Sequence, residues 1–101
     1  MAINTKKSAD GAELTISVAG RFDFSSHQAF REAYENLPVK AKSYVIDLHE
    51  ATYLDSSALG MLLLLRDYAG GDSARIHIEH CNSDVKKILT ISNFEQLFKI
   101  S

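Results

Sequence analysis

Residues 44–71 read YVIDLHEATYLDSSALGMLLLLRDYAGG. An apolar, strand-like beginning leads through Asp55, Ser56 and Ser57 into a strongly apolar segment, which predicts a helix from about Ser57 to Ala69. Hydroxyl groups are thereby placed at a helix N-terminus, where backbone N–H groups lack intrahelical partners and an anion such as a phosphate is favoured. Aspartate and serine are also common N-caps, each contributing about 1 kcal/mol. Only one residue can be the cap, so at least one serine is left for another role.

The predicted helix has two kinds of apolar position. At 100° per residue, one face is wide enough to pack on a sheet, and it consists of Ala58, Met61, Leu62, Leu65, Tyr68 and Ala69. Leu59 and Leu63 fall outside that face, beside Arg66. These two leucines form a contact surface for another protein, or they are covered by a second layer of the same chain, such as its termini.

Length and composition restrict the class of protein. A chain of 101 residues suits one domain, residues 1–101, which can bury roughly two-thirds of its unfolded surface without a metal or a disulfide. The net charge of −2 and the lack of a Lys/Arg cluster argue against nucleic-acid binding. Cys81 has no cysteine to pair with, no apolar run approaches the roughly 20 residues of a membrane span, and the N-terminus does not resemble a signal peptide. We expect a cytoplasmic protein without direct membrane insertion.

Outside residues 44–71, hydrophobic periodicity predicts strands that alternate with helices. The first predicted element is a hairpin of Ala2–Ser8 and Ala12–Ala19 around Asp10-Gly11, whose second strand ends at Gly20. A helix Ser26–Leu37 follows, capped by Ser25 or Ser26 and stopped by Pro38, and then a strand Tyr44–Leu48. After Gly70-Gly71, which end the helix of residues 57–69, a strand Ala74–His80 and a helix Ser83–Thr90 capped by Ser83 are predicted. Residues 94–100 suit either a helix or a strand. This order predicts an α/β fold, a mixed β-sheet of four to five strands with helices packed against it.

Three segments together resemble a known family. The run VIDLHEATYLDSSALGMLLL, with AGRFD upstream and SDVKKILTISNFEQLFKI downstream, is similar to the STAS domain of bacterial anti-sigma factor antagonists, and the similarity spans essentially the whole chain. The family pattern Asp-Ser-Ser-Gly-Leu-Gly stands here as DSSALG at residues 55–60, with Ala58 in place of a glycine. The resemblance implies that Ser56 is phosphorylated, that Asp23 lies close to it, and that Ser57 mainly caps the helix or satisfies its backbone.

The resemblance also implies a partner switch that regulates transcription. Such an antagonist, when unphosphorylated, binds an anti-sigma factor, often itself a serine kinase of the histidine-kinase-like ATPase type. Phosphorylation ends the binding, and a PP2C-type phosphatase restores it. The expected partner-binding residues are Asp23, Phe24, Ser25, Asp55, Ser57, Ala58, Leu59, Leu63 and Arg66. Alternatively, STAS domains serve as constitutive subunits or scaffolds of membrane transporter or sensory complexes.

The sequence argues against an enzyme. A hydrolytic Ser56 would need a base such as His49 or His27, but there is no G-x-S-x-G elbow and no glycine-rich oxyanion loop. His77, His80 and Cys81 suggest a metal site, but on a strand residues 77 and 81 point one way and residue 80 the other. We therefore expect no catalytic residue, no metal and no cofactor.

Overall fold

The computed structural model describes residues 2–37 and 40–101, and in these ranges the chain forms a six-stranded mixed sheet and three α-helices. The strands are β1 (Ala2–Lys7), β2 (Glu13–Phe22), β3 (Ser43–Asp47), β4 (Ala51–Leu54), β5 (Ile76–Glu79) and β6 (Lys99–Ile100). The helices are α1 (His27–Glu35), α2 (Ser56–Ala69) and α3 (Ser83–Ile91), with 3-10 turns at Phe24–Ser26, Gly71–Ser73 and Phe94–Gln96. The predicted α/β fold is confirmed, with six strands in place of four to five.

Strand β2 organises the sheet because it pairs with three other strands. The sheet has the order β1-β2-β3-β5-β6, in which β1 is antiparallel to β2 and the other neighbours are parallel. Beyond Gly20 the end of β2 turns to β4, with Phe22 opposite Leu54 and a register shift between Gly20 and Arg21. The prediction that Gly20 ends the strand is therefore wrong. The Gly20 N–H donates a hydrogen bond to the backbone carbonyl of Glu50 at 2.9 Å, and β2 continues to Phe22. Its φ of +82° is a conformation that glycine adopts without strain.

The core lies between the helices and one face of the sheet. Alternate residues of β2, β3 and β5 are buried, as side chains that point to opposite faces of a strand require. Helix α2 adds its predicted inner face, on which Ala58, Met61, Leu62 and Leu65 are buried. Phe30 and Tyr34 of α1 complete this side of the core. The remaining positions of these strands are half-buried or exposed.

Several predicted helix ends are corrected. Ser26 occupies the N-cap position of α1, one of the two predicted positions, but its side chain makes no capping hydrogen bond. The helix ends at Glu35, and the predicted stop at Pro38 lies outside the described residues. Helix α3 is capped by Asn82 rather than Ser83, because the Asn82 side chain accepts a hydrogen bond from the Val85 N–H at 2.9 Å. The open choice at residues 94–100 is resolved as a 3-10 turn followed by a short strand. None of the described helices combines the length and the apolar character that crossing a bilayer requires.

Two leucines of α2 test this placement of the core. Leu62 is fully buried, so Leu62→Ala should lower the free energy of unfolding by about 2–5 kcal/mol. Leu64 is 50% exposed, so Leu64→Ala should cost less than about 1 kcal/mol. Urea denaturation of both variants and the wild type measures the difference. Equal losses would show that α2 is covered on both sides.

Candidate functional site

Two parallel strands end side by side, and an aspartate follows each of them. Phe22 pairs with Leu54, and the N–H of Asp55 donates to the Phe22 carbonyl at 3.4 Å. Asp23 and Asp55 therefore stand at one edge of the sheet, where Asp23 precedes the 3-10 turn Phe24–Ser26 and Asp55 precedes α2. The expected closeness of Asp23 to the start of α2 follows from this strand pairing.

Asp55 is the cap of α2. Its carboxylate accepts a hydrogen bond from the Ala58 N–H at 2.9 Å, and its extended backbone is typical of an N-cap. The expectation that Ser57 caps the helix is therefore wrong. Ser56 is the exposed first residue of α2 and Ser57 is half-buried. Within the described chain neither serine hydroxyl makes a hydrogen bond, so both are free for other chemistry.

Asp23 fixes the neighbouring 3-10 turn through a capping box. Its carboxylate accepts hydrogen bonds from the N–H and the hydroxyl of Ser25, at 3.1 and 2.5 Å, and its own N–H donates to the buried Ser26 hydroxyl at 3.4 Å. The Ser25 hydroxyl lowers the pKa of Asp23, with further contributions from the Ser25 backbone and from Arg21, whose side chain lies 3.6 Å away. The hydrogen bonds of Asp23 therefore stabilise the turn that presents Phe24.

Exposed apolar side chains surround the two serines. Phe24 is 73% exposed and stacks on His27, with ring centroids 5.9 Å apart, while Leu63 and Leu64 on α2 are 39% and 50% exposed. A groove runs between the 3-10 turn and α2; we call it the α2 groove, and it is lined by Phe24, His27, Ser57, Gly60, Met61 and Leu64. The expected partner residues Phe24, Ser57 and Leu63 thus lie in or beside one surface. Sequence reasoning missed His27, Gly60 and Leu64.

Other expected contact residues lie elsewhere. Ala58 is fully buried in the core, so its assignment to a partner surface is wrong. Leu59 is half-buried and packs against the core, which also corrects its assignment as an exposed residue. The Arg66 guanidinium forms an ion pair with Asp72 at 2.8 Å, and its side chain is only 19% exposed. Its charge is thus already paired within the chain, where it fastens the end of α2 to the following turn.

Gly60 has no evident structural reason to be glycine. It lies inside α2 with ordinary helical φ, and a Cβ at this position would meet no atom of the described chain within 4 Å beyond the adjoining helix backbone. A glycine inside a helix costs about 1 kcal/mol relative to alanine because of backbone entropy. The chain therefore accepts a stability cost at a position that faces the α2 groove.

The histidines are engaged at other places. His77 lies 2.9 Å from the Ser101 hydroxyl and 3.3 Å from Glu79, whereas His80 lies 3.2 Å from the Asp47 carboxylate, close to the ring of His49. His77 and His80 thus have separate partners. The predicted strand Ala74–His80 is shortened to β5, which ends at Glu79, and His80 has a φ of +61°, so the strand alternation assumed for His77, His80 and Cys81 does not extend to His80 and Cys81. Among residues 2–37 and 40–101, no group of three or more His, Cys, Asp or Glu side chains is arranged to hold a metal ion.

Comparison with known proteins identifies the family. A family model described as "Mlab, STAS domain" matches residues 5–99, and the chain therefore belongs to the STAS-domain family. A STAS-domain containing protein of Pseudomonas aeruginosa (strain UCBPP-PA14) is 64% identical over 101 residues, which are the whole of both chains. The resemblance found in the sequence is confirmed.

Solved structures show the same fold in proteins with different descriptions. The STAS domain of an antisigma-factor antagonist from Rhodobacter sphaeroides is 28% identical, with a TM-score of 0.57 over 76% of this chain and 83% of that one. A sulfate transporter family protein from Wolinella succinogenes is 11% identical, with a TM-score of 0.77 over 88% of this chain and 75% of that one. The fold alone therefore does not distinguish an antagonist from a transporter domain.

The capping box yields a prediction about the charge on Asp23. Ser25→Ala removes the main hydrogen bond that lowers the Asp23 pKa, so this pKa should rise toward the ordinary value of 3.8. A carboxyl with a lowered pKa stabilises the fold above its ordinary pKa, and this contribution is lost as the pH falls through the lowered value. NMR titration of the side-chain carboxyl carbons measures both carboxyls. Asp10, whose pKa is lowered mainly by Ser8, should not respond, and an unchanged Asp23 would contradict the capping box.

Proposed function

We propose that the chain is a phosphorylation-controlled anti-sigma factor antagonist, which binds an anti-sigma factor when Ser56 is unphosphorylated and releases it when Ser56 carries a phosphate. One observation carries this proposal. Ser56 is the exposed first residue of α2, and its hydroxyl makes no hydrogen bond in the described chain because Asp55 caps the helix. A kinase can therefore modify this hydroxyl without breaking a structural interaction.

The position of Ser56 accounts for an effect on binding rather than on folding. A phosphate adds about −1.5 to −2 charges and three acceptor oxygens. The α2 N-terminus favours an anion by about 0.3–1 kcal/mol, so the fold tolerates it. At 1.5 Å per residue, Leu64 lies about 12 Å along the helix from Ser56. A partner that covers both residues would have to desolvate the phosphate, which costs several kcal/mol unless the charge is paired.

Electrostatics at the same edge strengthens the effect. Asp23 and Asp55 both stand there, and Asp23 is held ionised by its hydrogen bonds. Arg21 offsets part of the Asp23 charge. A phosphate on Ser56 nevertheless adds about two negative charges beside two carboxylates, and a partner surface that fits the unmodified protein is not complementary to this added charge. We infer that the protein acts in the cytoplasm by binding rather than by catalysis.

The proposal includes three protein partners. They are an anti-sigma factor, a serine kinase of the histidine-kinase-like ATPase type that is either the anti-sigma factor itself or a separate protein, and a PP2C-type phosphatase. The antagonist description of the Rhodobacter structure supports this class of partner. The other candidate is a constitutive subunit or scaffold of a transporter complex, since a protein described as belonging to the sulfate transporter family has the same fold. Such a subunit would bind its partner equally well with and without a phosphate on Ser56.

The first test concerns Ser56 itself. Fragment mass spectra of the protein incubated with its kinase and ATP should place the phosphate on Ser56 and not on Ser57 or Ser25. Calorimetric titration with the anti-sigma factor should show binding by the wild type and by Ser56→Ala, weaker binding by Ser56→Asp, and none by the phosphorylated protein. Aspartate has one charge and two oxygens, so its effect is partial. Equal affinities for all four proteins would favour the constitutive subunit.

The second test concerns the exposed leucines. Leu63→Asp and Leu64→Asp should each weaken binding of the anti-sigma factor by about 2 kcal/mol or more, because exposed apolar anchors of an interface lose their contacts, while thermal stability changes little. Leu59→Asp should instead destabilise the fold, since Leu59 packs on the core.

Ile91 provides the matched control for this series. It is 71% exposed on α3, so Ile91→Asp introduces the same charge on an exposed apolar site of another helix. Thermal melts should show that Leu63→Asp, Leu64→Asp and Ile91→Asp stay folded. Among these three, titration should show wild-type affinity for Ile91→Asp only. Equal loss of binding in Ile91→Asp would mean that added charge acts nonspecifically.

A further inference from the structure

We propose that Gly60 is the point at which an amphipathic helix of the anti-sigma factor comes closest to the backbone of α2, so that the residue at position 60 sets the affinity for this partner. This inference rests on the proposed function and extends it to a residue that the switch itself does not require. Gly60 neither carries the phosphate nor caps the helix.

The position of Gly60 on α2 is the first argument. On a helix, residues 56, 60 and 67 align along one line, and in α2 that line lies opposite the buried Ala58, Leu62 and Leu65. Leu63 lies on the same face, and Leu63 and Leu64 stand on either side of Gly60 one turn further along, so Gly60 is a gap beside exposed leucines, one turn below Ser56. An apolar side chain of a partner can enter this gap and contact the helix backbone.

The absence of an internal reason for glycine is the second argument. Position 60 has ordinary helical backbone, and the described residues leave the space of a Cβ free within 4 Å. Alanine would fit the isolated domain and would stabilise it. Glycine is typical of places where another backbone or a ligand approaches closely, and in residues 2–37 and 40–101 no other element makes that approach.

Shape and charge indicate the occupant. The α2 groove beside Gly60 is open and is lined largely by apolar side chains, among them Phe24, Met61 and Leu64, which suits a helix with one apolar stripe. Asp67 is exposed at one end of this face, and Asp55 stands at the other, beside Asp23, whose carboxylate pairs with Arg21 at 3.6 Å. The occupant is therefore a helix of the anti-sigma factor that carries an apolar stripe with basic residues toward its ends.

Gly60→Ala tests this inference because it separates stability from binding. The variant should melt about 2–8 °C higher than the wild type, because alanine is the better helix former. In calorimetric titration against the purified anti-sigma factors of the host organism, the wild type should bind one of them and Gly60→Ala should bind it at least tenfold more weakly. Thr90→Ala, an exposed change to alanine on α3, is the control, and it should bind as the wild type does.

Four outcomes contradict the inference. Wild-type affinity in Gly60→Ala, with Ser56 phosphorylation still abolishing binding, would overturn the role of Gly60 and leave the proposed function intact. A lower melting temperature for Gly60→Ala would show that the fold itself requires glycine. Binding of none of the anti-sigma factors to the wild type would overturn the proposed function and this inference with it. Sedimentation that shows wild-type dimers abolished by Gly60→Ala would identify a second copy of the chain as the occupant instead.

Discussion

The parallel pairing of β2 with β4 is the constraint on which the candidate site depends. Strand β2 runs past Gly20 and changes partner there, so that Phe22 lies opposite Leu54 and both strands end at the same edge of the sheet. The next residue of each strand is an aspartate that begins a helical segment. The N-termini of two helical segments and their exposed side chains are therefore brought together by the backbone pairing of β2 with β4 and by the burial of Phe22 and Leu54 in the core.

The division of roles between aspartates and serines follows from this geometry. Aspartates serve as caps and stabilise the helical segments, each by about 1 kcal/mol, and their bonds leave the Ser56 hydroxyl unused. The helix N-terminus offers a phosphate at most about 1 kcal/mol, whereas covering an unpaired phosphate with an apolar partner costs several. The second effect is the larger one. Under the proposed function, a phosphate at this position would change binding at the surface far more than it would change the fold beneath it.

The inner face of α2 could be predicted from the sequence because a helix repeats every 3.6 residues. Strand β4 could not, since its four residues carry no alternating pattern and its pairing with β2 is a tertiary contact. Asp55, Ser56 and Ser57 have similar N-cap propensities, so the sequence alone does not identify the cap. In the structure Asp55 has the extended backbone of an N-cap, whereas Ser56 and Ser57 are already helical. Leu59 and Leu64 lie at equal angles on opposite sides of the buried face, so periodicity alone cannot tell which of them the neighbouring elements cover.

The size of the exposed apolar surface bears on the choice between a switch and a fixed subunit. Obligate interfaces are large and more apolar than the rest of a protein surface, and a domain made for one exposes a broad apolar patch when it is alone. Here the exposed apolar side chains Phe24, Leu63 and Leu64 are interrupted by polar or small neighbours, among them Ser56, Ser57, Gly60 and Asp67. An interface of this kind is held by a few anchors with close shape complementarity, and it can dissociate when one of its components changes. The reversible association that we propose suits this surface better than permanent burial does, because its exposed apolar side chains are separated by polar or small residues and do not form one broad patch.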